Sequence, residues 1–104
     1  MTIDEMKREL KGFMDNDGKI SQMPTKTKRE LMVAAIIADK IDAERVYTEK
    51  EINELILSQI TFGDYCTVRR DLIDFGFMTR KENCTEYRIL TKKPDLSAYN
   101  LIID

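Results

Sequence analysis

The chain has 104 residues, a formal net charge of −2 and 42% hydrophobic residues, which predicts one soluble domain with a single core. The absence of histidine from the sequence removes the commonest general base and metal ligand, and it excludes Ser-His and Cys-His catalysis. Two cysteines cannot form a four-ligand zinc site without carboxylates, so we expect neither enzyme activity nor a cofactor.

Cellular location is predicted from signals that the sequence lacks. No run of about eighteen apolar residues is present, and Met1 to Glu5 lack the basic start and apolar run of a signal peptide. Cys66 and Cys84 are therefore expected to be free thiols in a reducing compartment. These features predict a cytoplasmic protein that has no membrane partner.

The N-terminal segment, residues 1–24, is predicted to form one helix and a short extended piece. Thr2 and Glu5 have the spacing of a capping box, which satisfies free backbone amides at a helix start. The apolar residues that follow are spaced for one helix face: Ile3, Met6, Leu10 and Phe13. The turn-forming residues from Asp15 to Gly18 should end the helix.

Asp15, Asp17 and Gly18 resemble part of a calcium-binding loop. An EF-hand needs its glycine at position six, which places Phe13 at position one and Pro24 at position twelve. Neither residue has a side-chain oxygen. We therefore expect a polar turn here and no metal site.

Two further helices are predicted in the middle of the chain. The first runs from about Thr25 to Lys40, and its apolar stretch Leu31–Ala38 is typical of a central buried helix. After a brief extended link at Val46 and Tyr47, Thr48 and Glu51 form a second capping box. That helix should bury the apolar side chains Ile52, Leu55, Ile56 and Ile60.

A fourth helix and a hairpin follow. Asp64 is suited to cap the helix, and Gly76 to end it. The helix should bury one apolar stripe: Tyr65, Val68, Leu72 and Phe75. Residues 77–80 and 85–90 are expected to be strands joined by a turn at residues 81–84.

The predicted order is helix, short strand, helix, helix, hairpin, which is the order of a winged helix. The fold class predicted is α+β, mainly α: a winged helix-turn-helix domain over residues 25–91 with a C-terminal β-hairpin wing and an extra N-terminal helix. Residues 92–104 form a C-terminal tail, in which Pro94 and Asp95 are suited to start a short helix through Tyr99.

Several segments resemble the bacterial domain of unknown function 2087 family. The segments are "FMDNDGKISQMPTKTKREL", "YTEKEINELI", "TVRRDLIDFGFMTR" and "EYRIL", and together they extend from about Leu10 to Leu90. Members of that family occur alone or attached to helix-turn-helix regulators, which implies a place in transcription regulation. Many members have a histidine before the Arg-Arg helix, where this chain has residues 60–64 without one.

The adjacent arginines Arg69 and Arg70 allow two interpretations. In a winged helix they lie on the recognition helix and contact DNA, with the hairpin gripping flanking phosphates. The predicted DNA contacts are Thr67, Arg69, Arg70, Arg80, Lys81 and Arg88. In the alternative, one arginine pairs with Asp71, Asp74 or Glu51 and ties helices together. Arg69, which flanks the buried stripe, is the better candidate for that structural role.

The function predicted is DNA binding through the fourth helix and hairpin in bacterial transcription regulation. The alternative is a protein-protein interaction or dimerisation module of the same fold that binds no nucleic acid. Apolar residues are concentrated near the C-terminus, where they gain by burial either in the chain's own core or in a second copy, and we predict a homodimer. The predicted dimer contacts are Leu96, Tyr99 and Ile102.

Overall fold

Four helices and one β-hairpin make up the fold that the computed structural model describes for residues 1–83 and 85–103. The helices are α1 (Ile3–Glu9), α2 (Thr27–Asp39), α3 (Glu49–Leu57) and α4 (Tyr65–Asp74). The strands are β1 (Met78–Arg80) and β2 (Tyr87–Ile89), and short 3-10 turns occupy Lys11–Phe13 and Ser97–Tyr99. The prediction of an α+β fold that is mainly helical is confirmed.

Both predicted capping boxes are present. The hydroxyl of Thr2 accepts a hydrogen bond from the Glu5 amide at 3.2 Å, and the Glu5 carboxylate accepts one from the Thr2 amide at 3.0 Å. Thr48 and Glu51 make the same reciprocal pair at 3.1 and 3.0 Å. Each pair satisfies two backbone donors that a helix start would otherwise leave unpaired.

Helix α2 is the centre of the core. Every residue from Leu31 to Ala38 is buried, and α2 packs against both α1 and α4. The helix begins at Thr27, two residues later than predicted, because the backbone of Lys26 is extended. A helix that is apolar on nearly all sides is stable only when other elements cover it, and here they do.

The N-terminal segment packs into the same core as α2. Met6 and Leu10 are fully buried. The predicted extended piece is held by Ile20, whose amide donates to the Gln59 carbonyl at 2.8 Å and whose carbonyl accepts from the Thr61 amide at 2.9 Å. These bonds attach the segment to the chain that links α3 and α4.

Helix α4 ends at Gly76, as predicted. Gly76 has φ +89°, a left-handed conformation that glycine adopts without strain. Its amide donates to the Ile73 carbonyl at 3.1 Å, and the Phe77 amide donates to the Leu72 carbonyl at 2.9 Å. This pair of bonds is the Schellman motif, which turns the chain directly from α4 into β1.

The hairpin pairs Met78 with Ile89, Thr79 with Arg88 and Arg80 with Tyr87. Tyr47 adds an antiparallel bridge to the other edge of β2, because Tyr47 and Tyr87 exchange two backbone hydrogen bonds of 2.8 Å. The extended link predicted before α3 therefore pairs with the hairpin.

The C-terminal segment folds back onto the body of the protein. Leu96 and Leu101 are buried in the chain's own core, and the amino group of Met1 donates to the Ile102 carbonyl. The predicted dimer contact at Leu96 is therefore corrected, since the side chain is already covered within one chain. The short helix predicted through Tyr99 is present as the 3-10 turn Ser97–Tyr99, which begins at Ser97 and not at Pro94 or Asp95. No helix in residues 1–83 or 85–103 is long and apolar enough to cross a membrane.

Candidate functional site

Helix α4 starts at a side-chain cap that also fixes Thr67. Asp64 accepts hydrogen bonds from the Thr67 amide at 3.2 Å and from the Thr67 hydroxyl at 2.8 Å. These bonds lower the pKa of the Asp64 carboxyl, because they stabilise its charged form. The Thr67 hydroxyl therefore donates its hydrogen bond within the protein, and towards a ligand it can act only as an acceptor.

Arg69 joins α4 to α3. Its Nη1 donates to Oδ1 of Asn53 at 2.6 Å and to Oε1 of Glu49 at 3.1 Å. The side chain is 17% exposed, and its guanidinium lies 5.9 Å from the ring centres of Tyr65 and Tyr87. Arg69 therefore has the structural role for which it was the better candidate.

The partners proposed for a structural arginine were wrong. Asp71, Asp74 and Glu51 were expected, but Arg69 binds Glu49 and Asn53 instead. Glu51 accepts a hydrogen bond of 2.6 Å from Arg45. The sequence signal that points to the actual partners is the four-residue spacing of positions 49 and 53, which places both on the same face of α3.

Arg70, the next residue, has different surroundings. Its side chain is exposed and makes no hydrogen bond or ion pair within the described residues. Its positive charge contributes to the lowered pKa of the nearby Asp64 carboxyl and opposes the rise in the pKa of Asp71, but Arg70 forms no ion pair with either. The guanidinium therefore keeps its donors available for a ligand.

The carboxylates of α4 do not all share the exposed side with Arg70. Asp71 is half-buried and lines a crevice with Glu30, Val33 and Ala34 of α2. Burial and the neighbouring charge of Glu30 raise the pKa of the Asp71 carboxyl. Asp74 is exposed, but it lies at the last residue of the helix. Arg70, the sixth of the ten residues of α4, therefore shares the exposed side with Asp74 but forms no ion pair with it.

The hairpin presents the remaining predicted contacts. Arg80 and Arg88 are exposed and form no ion pair in the part of the chain that the structure describes. Lys81 pairs with Glu86 at 2.9 Å, and both side chains are about half exposed or more. A pair this exposed contributes little to stability. The Lys81 side chain is 64% exposed, so it remains accessible. The predicted turn includes Cys84, which lies outside the described residues.

The hydroxyl of Tyr87 is buried. Its oxygen has no hydrogen-bond partner among the described residues. The residue is 1% exposed. The ring of Tyr87 therefore lies in the core, beside the guanidinium of Arg69.

The acidic loop after α1 is a turn. Oδ1 of Asp15 accepts hydrogen bonds from the amides of Asp17 and Lys19, at 3.0 and 2.9 Å. Gly18 has φ +81°. Among residues 1–83 and 85–103, no three histidine, cysteine or acidic side chains are grouped as metal ligands.

Comparison with known proteins gives one match. No curated protein and no solved structure matches the chain significantly. A family model described as uncharacterised protein conserved in bacteria, domain of unknown function 2087, matches residues 19–89. These residues include α2, α3, α4 and both strands, together with the Arg69 contacts between α3 and α4. The chain belongs to this bacterial family.

Proposed function

We propose that the protein is a cytoplasmic winged-helix domain that binds DNA through α4 and the hairpin and acts in bacterial transcription regulation. The order of α2, the Tyr47 bridge, α3, α4 and the hairpin supports the winged-helix assignment. In that assignment, Tyr47 takes the place of the short strand between α2 and α3, and it pairs with β2 of the wing hairpin. Helix α4 is the recognition helix.

The observation that carries the DNA proposal is the division of the arginine pair. Arg69 is held by Glu49 and Asn53, so it fixes the position of α4 against α3. Arg70 is exposed with its donors unused. A planar guanidinium with free donors suits a phosphate or the major-groove edge of guanine. In this proposal Arg70 contacts DNA and Arg69 does not.

The hairpin supplies the flanking contacts. Arg80, Arg88 and Lys81 are exposed cations on or beside β1 and β2. Their role is to bind phosphates without reading sequence, as wings do. The position of Asp71 in the crevice against α2 supports this arrangement, because it keeps one carboxylate away from the DNA.

The test compares wild type with Arg70→Ala in fluorescence titrations of genomic DNA fragments at several salt concentrations. Arg70→Ala should weaken binding, and the slope of log affinity against log salt should fall by about one. Arg80→Ala with Arg88→Ala should reduce the slope further. Lys50→Ala, which removes an exposed cation from α3, is the matched control and should change neither quantity. Failure of the wild type to bind these fragments at low salt would contradict the proposal.

The second candidate is an interaction or dimerisation module, favoured by apolar exposure near the C-terminus. Ile102 is 71% exposed and Tyr99 is 45% exposed, and such side chains favour burial against a partner. We expect light scattering at tens of micromolar protein to report a homodimer, and Ile102→Ser to dissociate it. Leu57→Ser, at another exposed apolar residue, is the control. A monomer mass for the wild type contradicts this candidate.

A further inference from the structure

A cavity of about 370 Å³ lies at the C-terminal end of α2. Its floor consists of buried residues, among them Ala35 and Ala38 of α2 and Phe77, which precedes β1. Ile3 of α1 and Ile103 of the C-terminal segment close its sides. The cavity is therefore formed by elements that are distant in sequence.

The cavity exists because α2 carries small side chains there. Ala35 and Ala38 are three residues apart and so lie on one face of the helix, whereas residues 36 and 37 are isoleucines. Benzene fills an engineered apolar cavity of about 150 Å³ in another protein. The space here accommodates a larger aromatic or branched aliphatic group.

The exposed rim of the cavity is acidic. Asp39 is the last residue of α2, and Asp42 lies three residues beyond it; both line the cavity. One oxygen of Asp42 accepts a hydrogen bond of 2.9 Å from the Glu44 amide, and no residue in the last turn of α2 is basic. The C-terminal end of a helix carries a partial negative charge, so it adds to the negative potential of the two carboxylates.

One cation also reaches this rim. Lys93 lines the cavity, but it already interacts with another group of the protein. Among the residues that line the cavity, Asp39 and Asp42 are acidic and Lys93 is basic. These surroundings favour a ligand that is apolar except for one positively charged group.

We propose that this cavity binds a small organic cation, namely an amine that carries one aromatic or branched aliphatic group. The apolar group fills the space beside Ala35 and Ala38, and the ammonium group lies at the rim near Asp39 and Asp42. Because Ile89 and Leu90 of the hairpin also line the cavity, a bound amine touches the element proposed to contact DNA. The binding claim itself does not depend on DNA binding.

The first experiment measures binding of three probes of similar shape by isothermal titration calorimetry at neutral pH. The probes are phenylpropylamine, phenylpropanol and phenylpropanoate, which differ in charge. We expect the amine to bind most tightly and the acid most weakly. Asp39→Asn with Asp42→Asn should weaken binding of the amine by up to about twenty-five-fold, because each partly exposed ion pair contributes up to about a factor of five. The affinity for the alcohol should change little.

The second experiment fills the cavity. Ala38→Leu places a larger side chain in the space and should abolish binding of the amine and the alcohol. Ala98→Leu makes the same chemical change at an exposed position outside the cavity and should leave binding intact. If Ala38→Leu fails to fold, the NMR shifts that the amine induces in the wild type locate the site, and they should concentrate at Ala35, Ala38 and Phe77.

Three results overturn the proposal. The first is no binding of the amine to the wild type at millimolar concentration. The second is equal or tighter binding of the alcohol or the acid, which indicates an apolar or anionic ligand. The third is binding that survives Ala38→Leu in a folded protein, or NMR shifts centred elsewhere, such as at Ile102, since either places the site outside this cavity.

Discussion

Nη1 of Arg69 lies 2.6 Å from Oδ1 of Asn53, so a side chain of α4 is bound directly to a side chain of α3. The same nitrogen donates to Glu49, which precedes Asn53 by one helical turn. Two acceptors on one helix face thus fix the angle of the neighbouring helix. The position of Arg70 on the surface depends on this contact.

Arg69→Ala is predicted to destabilise the protein more than Arg70→Ala. The first change leaves Asn53 and Glu49 without their donor and should lower the free energy of unfolding by roughly 1–3 kcal/mol. The partial exposure of Glu49 keeps the cost below that of a fully buried pair. Arg70→Ala should change it by less than about 0.5 kcal/mol. Urea unfolding of both variants provides the measurement, and equal large losses would contradict the division of roles.

Tyr87→Phe is predicted to leave stability unchanged or to raise it. The buried hydroxyl of Tyr87 has no hydrogen-bond partner, so its removal eliminates an unsatisfied polar group and should stabilise the fold by up to about 1–3 kcal/mol. Tyr65→Phe, at a partly exposed ring, is the control for loss of a hydroxyl. A marked fall in the urea midpoint of Tyr87→Phe, relative to this control, would show that the hydroxyl has a partner in solution.

Asp71→Asn is predicted to stabilise the protein at neutral pH. Burial raises the pKa of this carboxyl, the charges of Glu30, Asp74 and Asp64 raise it further, and Arg70 lowers it. Between the ordinary carboxyl pKa and the raised folded value, the folded state binds more protons than the unfolded state. The contribution of Asp71 to the free energy of unfolding therefore falls as pH rises through that window.

The measurement is urea unfolding of wild type and Asp71→Asn at pH 7 and at about pH 3, below the ordinary carboxyl range. The variant should be the more stable protein at pH 7, and the difference should shrink at the acid pH, where Asp71 is protonated in both states. Asp74→Asn, at an exposed position on the same helix, is the matched control. A difference that is independent of pH argues against titration of Asp71 as its cause.

Gly76→Ala is predicted to cost more stability than Gly18→Ala. Both glycines have positive φ, +89° and +81°, and a left-handed residue with a side chain costs about 1–2 kcal/mol. A Cβ on Gly76 would also lie 3.3 Å from Cβ of Pro94, whereas one on Gly18 meets no atom within 4 Å. The midpoints of thermal unfolding of the two variants provide the measurement. Gly76→Ala combines backbone strain with crowding against Pro94, whereas Gly18→Ala introduces backbone strain alone. A lower midpoint for Gly18→Ala than for Gly76→Ala would contradict this account.

Features set by neighbouring residues were the ones that the sequence predicted best. The capping boxes at Thr2 and Thr48 and the helix end at Gly76 depend on residues within a few positions, so their spacing was sufficient. The exposure of Arg70 followed from helix periodicity. Helix α2 began two residues later than predicted, where the backbone of Lys26 is extended. Helix α1 ended at Glu9 and was followed by the 3-10 turn Lys11–Phe13, although the residues from Asp15 to Gly18 were expected to end it.

Features that depend on tertiary packing were missed. The partners of Arg69 are sixteen and twenty residues away in sequence, and the shared helix face of positions 49 and 53 does not by itself show that α4 packs against that face. The apolar C-terminal residues, Leu96 among them, could be buried either in the chain's own core or against a second copy, and the folded chain covers Leu96 itself. The cavity beside Ala38 likewise requires knowledge of which elements meet there.

The bridge between Tyr47 and Tyr87 has a further consequence for self-association. Because Tyr47 covers one edge of β2 and β1 covers the other, β1 is the outer strand of the hairpin. The backbone N–H and C=O groups of its alternate residues, Met78 and Arg80, point away from β2. An edge this short, ending in Arg80 and followed by Lys81, is a poor template for strand addition or for amyloid-like stacking. Association between copies must therefore use side-chain surfaces, and the sheet itself is protected from aggregation.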